Sequence, residues 1–159
     1  IFASRSKGEN PLEQDYIIPN AVVIVPLYKQ KDKLVMIKEF RVALGGYQYG
    51  FPAGLVDDGE TIEQAGKREL FEETGLTVTK VIKKSPAIFS SSGLTDESIS
   101  LMFVECEGQP SNENNEDSED IEVMMFSKEE ASDIIDDKRI KFDVKSWIVL
   151  NTFASHGIF

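Results

Sequence analysis

The feature that most constrains the fold of this chain is the segment Gly54–Leu76, which concentrates glutamates at helical spacing. Glu69, Glu72 and Glu73 stand at positions i, i+3 and i+4, so on a helix that turns about 100° per residue they share one face. Like charges at this spacing repel by a few tenths of a kcal/mol per pair. A hard divalent cation with oxygen ligands would offset that repulsion. The segment therefore predicts a helix that holds Mg²⁺ or Mn²⁺ on its carboxylate face.

The ends of this helix are also marked in the sequence. Thr61, with Gln64 three residues later, matches a capping box, which predicts a helix start just after the turn at Asp58-Gly59. Gly75 stands where the helix should end, because glycine tolerates the left-handed backbone of a C-terminal cap. We expect the apolar side of the helix, formed by Ile62, Ala65 and Leu70, to pack inward. The carboxylates would then face a cleft.

The segment resembles the Nudix box, Gly-x5-Glu-x7-Arg-Glu-U-x-Glu-Glu-x-Gly-U with U apolar, at every defined position. The matching residues are Gly54, Glu60, Arg68, Glu69, Leu70, Glu72, Glu73, Gly75 and Leu76. An ordinary charged surface helix is the alternative, and it leaves the glycines and the spacing of Glu60 and Arg68 unexplained. We expect these two residues to form a partly buried ion pair, so that Arg68 supports the catalytic unit. The resemblance implies the Nudix fold, in which this loop–helix–loop is the catalytic unit.

The resemblance also implies roles for the carboxylates of the box. Glu69 and Glu73 would be metal ligands, and Glu72 would be a further ligand or would hold a metal-bound water. The backbone carbonyl of Ala53, in the Pro-Ala-Gly turn ahead of the box, would be an additional oxygen ligand. Glu72 and Glu73 therefore belong to the expected catalytic residues as well as to the expected metal site.

An acidic loop supplies the candidates for the general base. In the ADP-ribose branch of the family the base lies on a loop just ahead of a late strand, and residues 115–123 (NEDSEDIEV) resemble that pattern. The alignment makes Glu119 a metal-side carboxylate and puts Asp117 at the base position. The family more often has the longer Glu there, so Glu116 competes for the role. A solvated loop without a catalytic role is the alternative.

Two further segments resemble the ADP-ribose and nucleotide-sugar pyrophosphatases. The first runs from Lys38-Glu39-Phe40-Arg41 to the box, and it places Arg41 to approach a phosphate; a plain surface arginine is the alternative. The second, residues 90–97 (SSSGLTDE), has Ser92 where that branch carries a proline typical of ADP-ribose specificity, so the exact substrate stays open. The resemblance implies that the substrate-binding residues include Arg41, Gly54, Gly93, Leu94 and Glu97.

Apolar periodicity predicts a mixed α/β fold. Two helices near the end of the chain, Ser127–Asp137 and Asp143–Ala154, each start at a polar N-cap. In the second helix we expect Trp147, Ile148 and Leu150 to lie in the core. Strands around a central helix give an α/β (α+β) fold, a mixed sheet sandwiched between helices, and the resemblance supplies the α/β/α architecture. The predicted strands are Ala21–Tyr28, Leu34–Phe40, Tyr47–Phe51, Leu76–Lys84, Ser98–Glu105 and Ile121–Ser127.

Bulk composition limits the class of protein. The 159 residues, 41% of them apolar, suit one domain over residues 1–159. The net charge of −11 argues against nucleic acid as a partner, and no apolar run is long enough to predict a membrane span. The lone Cys106 excludes an intramolecular disulfide and suits a core thiol in a reducing cytoplasm. Because the chain starts at Ile1 rather than Met, we expect residues 1–20 to be the remnant of an N-terminal segment.

The resulting hypothesis is a Mg²⁺-dependent pyrophosphohydrolase, with Mn²⁺ as the alternative metal. Its expected substrate is ADP-ribose or a related nucleoside diphosphate sugar, which yields a nucleoside monophosphate and a sugar phosphate. The alternatives are a Nudix hydrolase for another diphosphate, such as GDP-mannose, a dinucleoside polyphosphate or a damaged nucleotide, and a non-catalytic nucleotide-sugar sensor. The resemblance also implies a homodimer as the expected assembly, because this branch commonly pairs through N-terminal strands.

Overall fold

The backbone is organised around a mixed sheet. The computed structural model describes residues 3–4, 10–13, 15–115 and 120–158. The strands in this part are β1 (Ala21–Tyr28), β2 (Lys33–Arg41), β3 (Gly46–Gly50), β4 (Ala53–Leu55), β5 (Thr77–Lys84), β6 (Ile88–Phe89), β7 (Ser98–Glu107) and β8 (Ile121–Phe126). The helices are α1 (Ile62–Thr74), α2 (Lys128–Ile134) and α3 (Val144–His156), with short 3₁₀ helices at Pro11–Glu13, Lys29–Lys31 and Val42–Leu44. Within these described ranges, no helix has both the length and the apolar character needed to cross a membrane.

Strand β1 lies at the centre of the sheet. The strand order is β3-β2-β1-β7-β5, with β4 paired to β1, β6 to β7 and β8 to β2. The β1–β7 pair is parallel, from Ala21 opposite Ile99 to Tyr28 opposite Cys106, and the other strand pairs are antiparallel. A parallel pair needs a long crossover connection, and the chain between β1 and β7 contains α1. The catalytic-unit helix predicted from the sequence is therefore part of this crossover.

Helices cover both faces of the sheet, and every residue of β1 is buried. On one face, Val23 belongs to the same apolar cluster as Phe153 of α3. On the other face, Val22 clusters with Leu70 of α1. The continuous apolar sequence of β1 is typical of a strand buried on both sides. The predicted α/β fold, a mixed sheet sandwiched between helices, is confirmed, and Cys106 is buried as predicted for a core thiol.

Helix α1 begins and ends where the sequence predicts. The hydroxyl of Thr61 accepts from the Gln64 N–H at 3.2 Å, and the Gln64 side chain accepts from the Thr61 N–H at 2.8 Å. Gly75 adopts the left-handed conformation, with φ of 72°, and closes the last turn. A further requirement was not visible in the sequence: a Cβ at Gly66 would lie 2.2 Å from the Cε of Met102. Glycine at this position lets α1 pack closely against β7.

The prediction that Trp147 and Ile148 lie in the core is wrong. Trp147 is 41% exposed and Ile148 is 53% exposed, whereas Leu150 is fully buried as predicted. The indole N–H of Trp147 donates to the carbonyl of Ile135 at 3.1 Å, so the ring lies at the edge of the contact between α3 and the end of α2. The buried face of α3 is one helical stripe that excludes these two positions; it consists of Ser146, Val149, Leu150, Phe153 and Ala154.

Ala53 and the first two residues of the box form a strand rather than the predicted turn. Ala53–Leu55 pairs antiparallel with β1, with Gly54 opposite Val22. The pairing joins segments that are distant in sequence, and three residues are too few to show a strand period. Its consequence is that the backbone of Ala53 and Gly54 is fixed against the central strand, beside α1. Strand β6, which pairs with the start of β7, was not predicted either.

Candidate active site

The glutamates of α1 lie beside the backbone of β4. A Cβ built on Gly54 would fall 1.9 Å from the Cδ of Glu69, so the Glu69 carboxylate lies directly over this glycine. Glu73 is only 4% exposed, and its Oε2 accepts from the backbone N–H of Ala53 at 3.3 Å. Two carboxylates one helical turn apart thus converge on the same dipeptide of the central sheet.

Arg68 ties these carboxylates to the loop ahead of α1. Its Nε and Nη2 each donate to Glu60 at 2.9 Å, and Nη2 also donates to the Leu55 carbonyl at 3.1 Å. Its Nη1 donates to Glu69 at 2.6 Å and to Glu72 at 3.2 Å. The bond from Arg68 holds the pKa of Glu60 at about 2, and the same bond raises the pKa of the guanidinium. The predicted Arg68–Glu60 pair is present, and it belongs to a network that offsets part of the repulsion among the glutamates.

The chemistry of this donor set fits a hard divalent cation. The converging side chains supply carboxylate oxygens, which are the ligands that Mg²⁺ and Mn²⁺ prefer. Glycine at position 54 leaves open the space that the Glu69 carboxylate uses, which a Cβ would fill. Across the described ranges, no group of three or more His, Cys, Asp or Glu side chains is gathered closely enough to hold a metal ion. Glu69 and Glu72 instead share the guanidinium of Arg68, so a metal bound here would compete with that contact.

Strand β4 also forms part of a cleft of about 450 Å³. Arg41, Ala53, Gly54 and Glu97, which the sequence assigned to metal or substrate binding, all line it. Arg41 is half-exposed and pairs with Glu39 at 2.9 Å. The other described lining residues are Ala21, Val23, Glu39, Gln48, Gly50, Phe51, Leu55, Ser90, Ile99, Asp143 and Lys145. The cleft therefore extends from the strand beside the glutamates to β2, β3 and the start of α3.

Gly93 and Leu94 are not among the described residues that line this cleft. Leu94 is 68% exposed, and apart from Gly93 itself and its two chain neighbours no described atom lies within 4 Å of a Cβ built on Gly93. From the same loop, Ser90 and Glu97 do reach the cleft. The structure thus divides the loop into two ends that face the cleft and a tip that faces outward.

The candidates for the general base, Glu116 and Asp117, and the metal-side Glu119 lie outside the described residues. The residue that follows them is anchored to β3. The hydroxyl of Tyr47 donates to the Asp120 carboxylate at 2.5 Å, and this bond raises the pKa of the Tyr47 phenol. The chain therefore leaves the acidic loop at a point fixed against the sheet.

Five polar residues of the cleft had no binding role assigned from the sequence, and three of them contact one another: Gln48, Asp143 and Lys145. The amide Nε2 of Gln48 donates to Asp143 at 3.1 Å, and the Lys145 ammonium lies 3.1 Å from the other oxygen of that carboxylate. Asp143 was recognisable only as an N-cap, and it does cap α3 by accepting from the Ser146 N–H at 2.9 Å. No local signal could show that this cap faces a cleft shared with β3.

Comparison with known proteins agrees with this geometry. The family model described as "NUDIX domain" matches residues 18–148. The chain belongs to the Nudix family. The matched region of this Nudix chain includes the whole sheet, α1 and the first residues of α3.

Several curated proteins are similar to this Nudix chain. The ADP-ribose pyrophosphatase of Bacillus subtilis is 33% identical over 130 residues, which cover 80% of this chain and 68% of that protein. The ADP-ribose pyrophosphatase of Saccharomyces cerevisiae is 39% identical over 90 residues, which cover 54% of this chain and 38% of that protein. The "ADP compounds hydrolase NudE" of Escherichia coli is 42% identical over 76 residues, which cover 45% of this chain and 40% of that protein. The matches thus span well under half of the yeast and E. coli proteins.

Proposed function

We propose that this Nudix chain is a Mg²⁺-dependent pyrophosphohydrolase, with Mn²⁺ as the alternative metal, that splits ADP-ribose or a related nucleoside diphosphate sugar. The supporting observation is the convergence of Glu69 and Glu73 on β4, a strand that also lines the cleft. A cleft of about 450 Å³ lies in the usual size range of small-molecule sites. The yeast and Bacillus relatives are ADP-ribose pyrophosphatases, which supports ADP-ribose as the first substrate to test.

Hydrolysis of a diphosphate requires neutralised phosphoryl charge, a nucleophilic water and a stabilised leaving phosphate. A bound divalent metal supplies charge neutralisation and a more acidic water. Glu69, Glu72 and Glu73, with the Ala53 carbonyl, would hold it. Burial beside β4 fixes the Glu73 carboxylate, so this side chain would need little ordering when a metal binds.

The remaining roles fall to the loop carboxylates and to Arg41. Water attacks one phosphorus, the bridging P–O bond breaks, and the water's proton passes to a carboxylate. We assign that carboxylate to Asp117, with Glu116 as its competitor and Glu119 on the metal side. Arg41 lines the cleft, and its guanidinium can donate to phosphate oxygens through two N–H groups.

The test is a turnover panel on the purified protein. ADP-ribose, GDP-mannose and a dinucleoside polyphosphate are incubated with Mg²⁺ or Mn²⁺, and the released nucleoside monophosphate is separated by chromatography. We expect AMP from ADP-ribose, loss of activity in EDTA and recovery with Mg²⁺. Preference for another compound would replace ADP-ribose as the proposed substrate and would still support metal-dependent hydrolysis of a diphosphate. Tight binding without turnover would instead identify a sensor.

A matched pair of α1 variants tests the carboxylate roles. Glu73→Gln should lower kcat by roughly 10²-fold or more, because it removes a charged ligand that the site would use in the transition state. Glu63→Gln is the control, since Glu63 lies on the same helix but pairs with Lys84 on the surface. Unimpaired turnover in a folded Glu73→Gln variant would show that the metal assignment is wrong.

A further inference from the structure

We propose that the cleft recognises the terminal sugar of its substrate through a polar wall, defined here as Gln48, Asp143 and Lys145. This inference rests on the proposed function and names the part of the substrate that the wall contacts. The three residues come from β3 and from the start of α3, and all line the cleft that β4 borders. They are therefore available to the part of a substrate that extends away from the glutamates of α1.

Asp143 organises the polar wall. One of its oxygens accepts from the Ser146 N–H at 2.9 Å and lies 3.1 Å from the Lys145 ammonium. The other accepts from the Ser146 hydroxyl at 2.8 Å and from the Gln48 amide at 3.1 Å. Ser146 is fully buried, and a Cβ at Gly50 would stand 3.4 Å from this carboxylate. Asp143 is thus a positioning residue that fixes Gln48 and Lys145 at the N-terminus of α3.

The wall presents one acceptor and one group of donors to the cleft. Because a carboxylate can only accept, the Gln48 side chain turns its nitrogen toward Asp143, and the Oε1 of Gln48 is not used in this contact. Among the described residues, no group donates to that oxygen. The Lys145 ammonium has three N–H donors, and Asp143 is its ion-pair partner in the described structure. Neighbouring hydroxyls of a sugar both donate and accept, so one ring could satisfy both side chains.

A sugar fits this wall better than a nucleobase or an additional phosphate. Nucleobases are commonly bound by stacking on exposed aromatic rings, and Phe51 is the single aromatic residue among the described lining residues, at 5% exposure. The cation of the wall, Lys145, is already paired with Asp143. The wall therefore offers hydrogen bonds without a strong excess of positive charge, which suits a neutral polyhydroxylated group.

The experiment compares two non-hydrolysable ligands by titration calorimetry in Mg²⁺. One is ADP-ribose with a methylene bridge between its phosphorus atoms, and the other carries an ethyl group in place of the terminal ribose. Gln48→Met keeps the length of the side chain, Lys145→Met keeps the length of the aliphatic stem, and both remove the polar group. We expect each substitution to lower the affinity for the ribose ligand about tenfold more than the affinity for the ethyl ligand. This is the loss expected for one hydrogen bond to a buried or charged partner. Gln30→Met and Lys31→Met, in the exposed turn after β1, are the controls and should bind both ligands as the wild type does.

The outcomes separate this inference from the proposed function. Equal weakening of both ligands would mean that the wall contacts the AMP half, and no weakening would mean that it contacts neither; each result overturns the inference. If the wild type hydrolyses ADP-ribose while the variants show no selective loss of affinity for the ribose ligand, only the inference about the polar wall is overturned. If the wild type neither binds nor hydrolyses these compounds, the proposed function fails with it. Thermal unfolding of each variant verifies that the measured protein is folded.

Discussion

Replacement of Gly54 by alanine tests whether the Glu69 carboxylate must lie over β4. Gly54 is not among the positive-φ glycines of the described residues, so its backbone can accept alanine. The new Cβ would stand 1.9 Å from the Cδ and Oε1 of Glu69, and ordinary contact begins at 3.4 Å, so the carboxylate must move by about 1.5 Å. The clashing atoms are the end of a flexible side chain. The substitution should therefore displace the carboxylate and leave the fold intact.

A displacement of this size should be costly for catalysis and should change stability only slightly. A misplacement of about 1 Å in a catalytic group can lower the rate on the order of 10²-fold, so we expect kcat of Gly54→Ala on ADP-ribose to fall at least that far. Alanine also restricts the unfolded chain, which stabilises a protein by about 0.4–1 kcal/mol at a compatible site. The displaced carboxylate also loses its contact with Arg68, and such a partly exposed ion pair contributes about 0.2–1 kcal/mol. The two effects offset each other, so the thermal midpoint should stay within about 4 °C of the wild-type value. Released AMP and scanning calorimetry measure the two effects on one preparation.

Gly46→Ala provides the matched control. A Cβ there would stand 2.9 Å from the Lys141 ammonium, which is also the end of a flexible side chain, but Gly46 belongs to β3 and not to the glutamate site. Its kcat should stay close to the wild-type value. A folded Gly54→Ala variant with wild-type kcat would refute the role of the Glu69 position. Loss of folding would refute the premise that only the side chain moves.

Three further predictions concern the Arg68 network and the buried thiol. Arg68→Lys should lower the free energy of unfolding by roughly 1–2 kcal/mol in urea, because one ammonium cannot bridge Glu60, Glu69 and Glu72 as the guanidinium does; an unchanged urea midpoint would contradict this. The pKa of Glu60 is lowered from 4.5 to about 2 in the fold, so its stabilising contribution is complete above pH 4.5 and is lost as the pH falls through 2. The thermal midpoint of the wild type should therefore fall more steeply over this range than that of Glu60→Gln, and parallel curves would argue against the pair. Burial raises the pKa of the Cys106 thiol to about 12, so a disulfide reagent at pH 8 should label it only after unfolding, and rapid labelling of the native protein would be inconsistent with its burial.

The parts of the fold that the sequence predicts well depend on near neighbours in the chain. The capping box of Thr61 and Gln64 acts over three residues, and the N–H of Gly75 donates to the carbonyl of Phe71 in the helix that Gly75 ends. Ser127 and Asp143 likewise cap the helices that directly follow them. In each case the interacting groups lie within one helical turn, so their spacing is visible in the sequence. The order and type of the main elements follow from such local signals together with apolar periodicity.

The parts that could not be predicted depend on contacts between distant segments. Gln48 and Asp143 are 95 residues apart in sequence, and each has an ordinary local role, in a strand and at a helix cap. Trp147 is a large apolar residue on a helix with an apolar face, yet its indole lies at the edge of that face and binds the Ile135 carbonyl. Only the packing of α3 against the sheet decides which stripe is buried. The cleft is likewise a product of the sheet order, which local patterns do not specify.

Arg68 explains how the glutamates of the box can be stable beside one another before any ligand binds. The segment Gly54–Leu76 has seven acidic residues and two basic ones, so repulsion there is a real cost. The guanidinium contacts Glu60, Glu69 and Glu72 at once, which offsets part of that cost and holds the loop to the helix. An excess of negative charge remains, and a divalent cation is the partner that fits it. Under the proposed function, metal and guanidinium would be alternative partners for Glu69, and suitable donors could then be present without being gathered into a preformed metal cage.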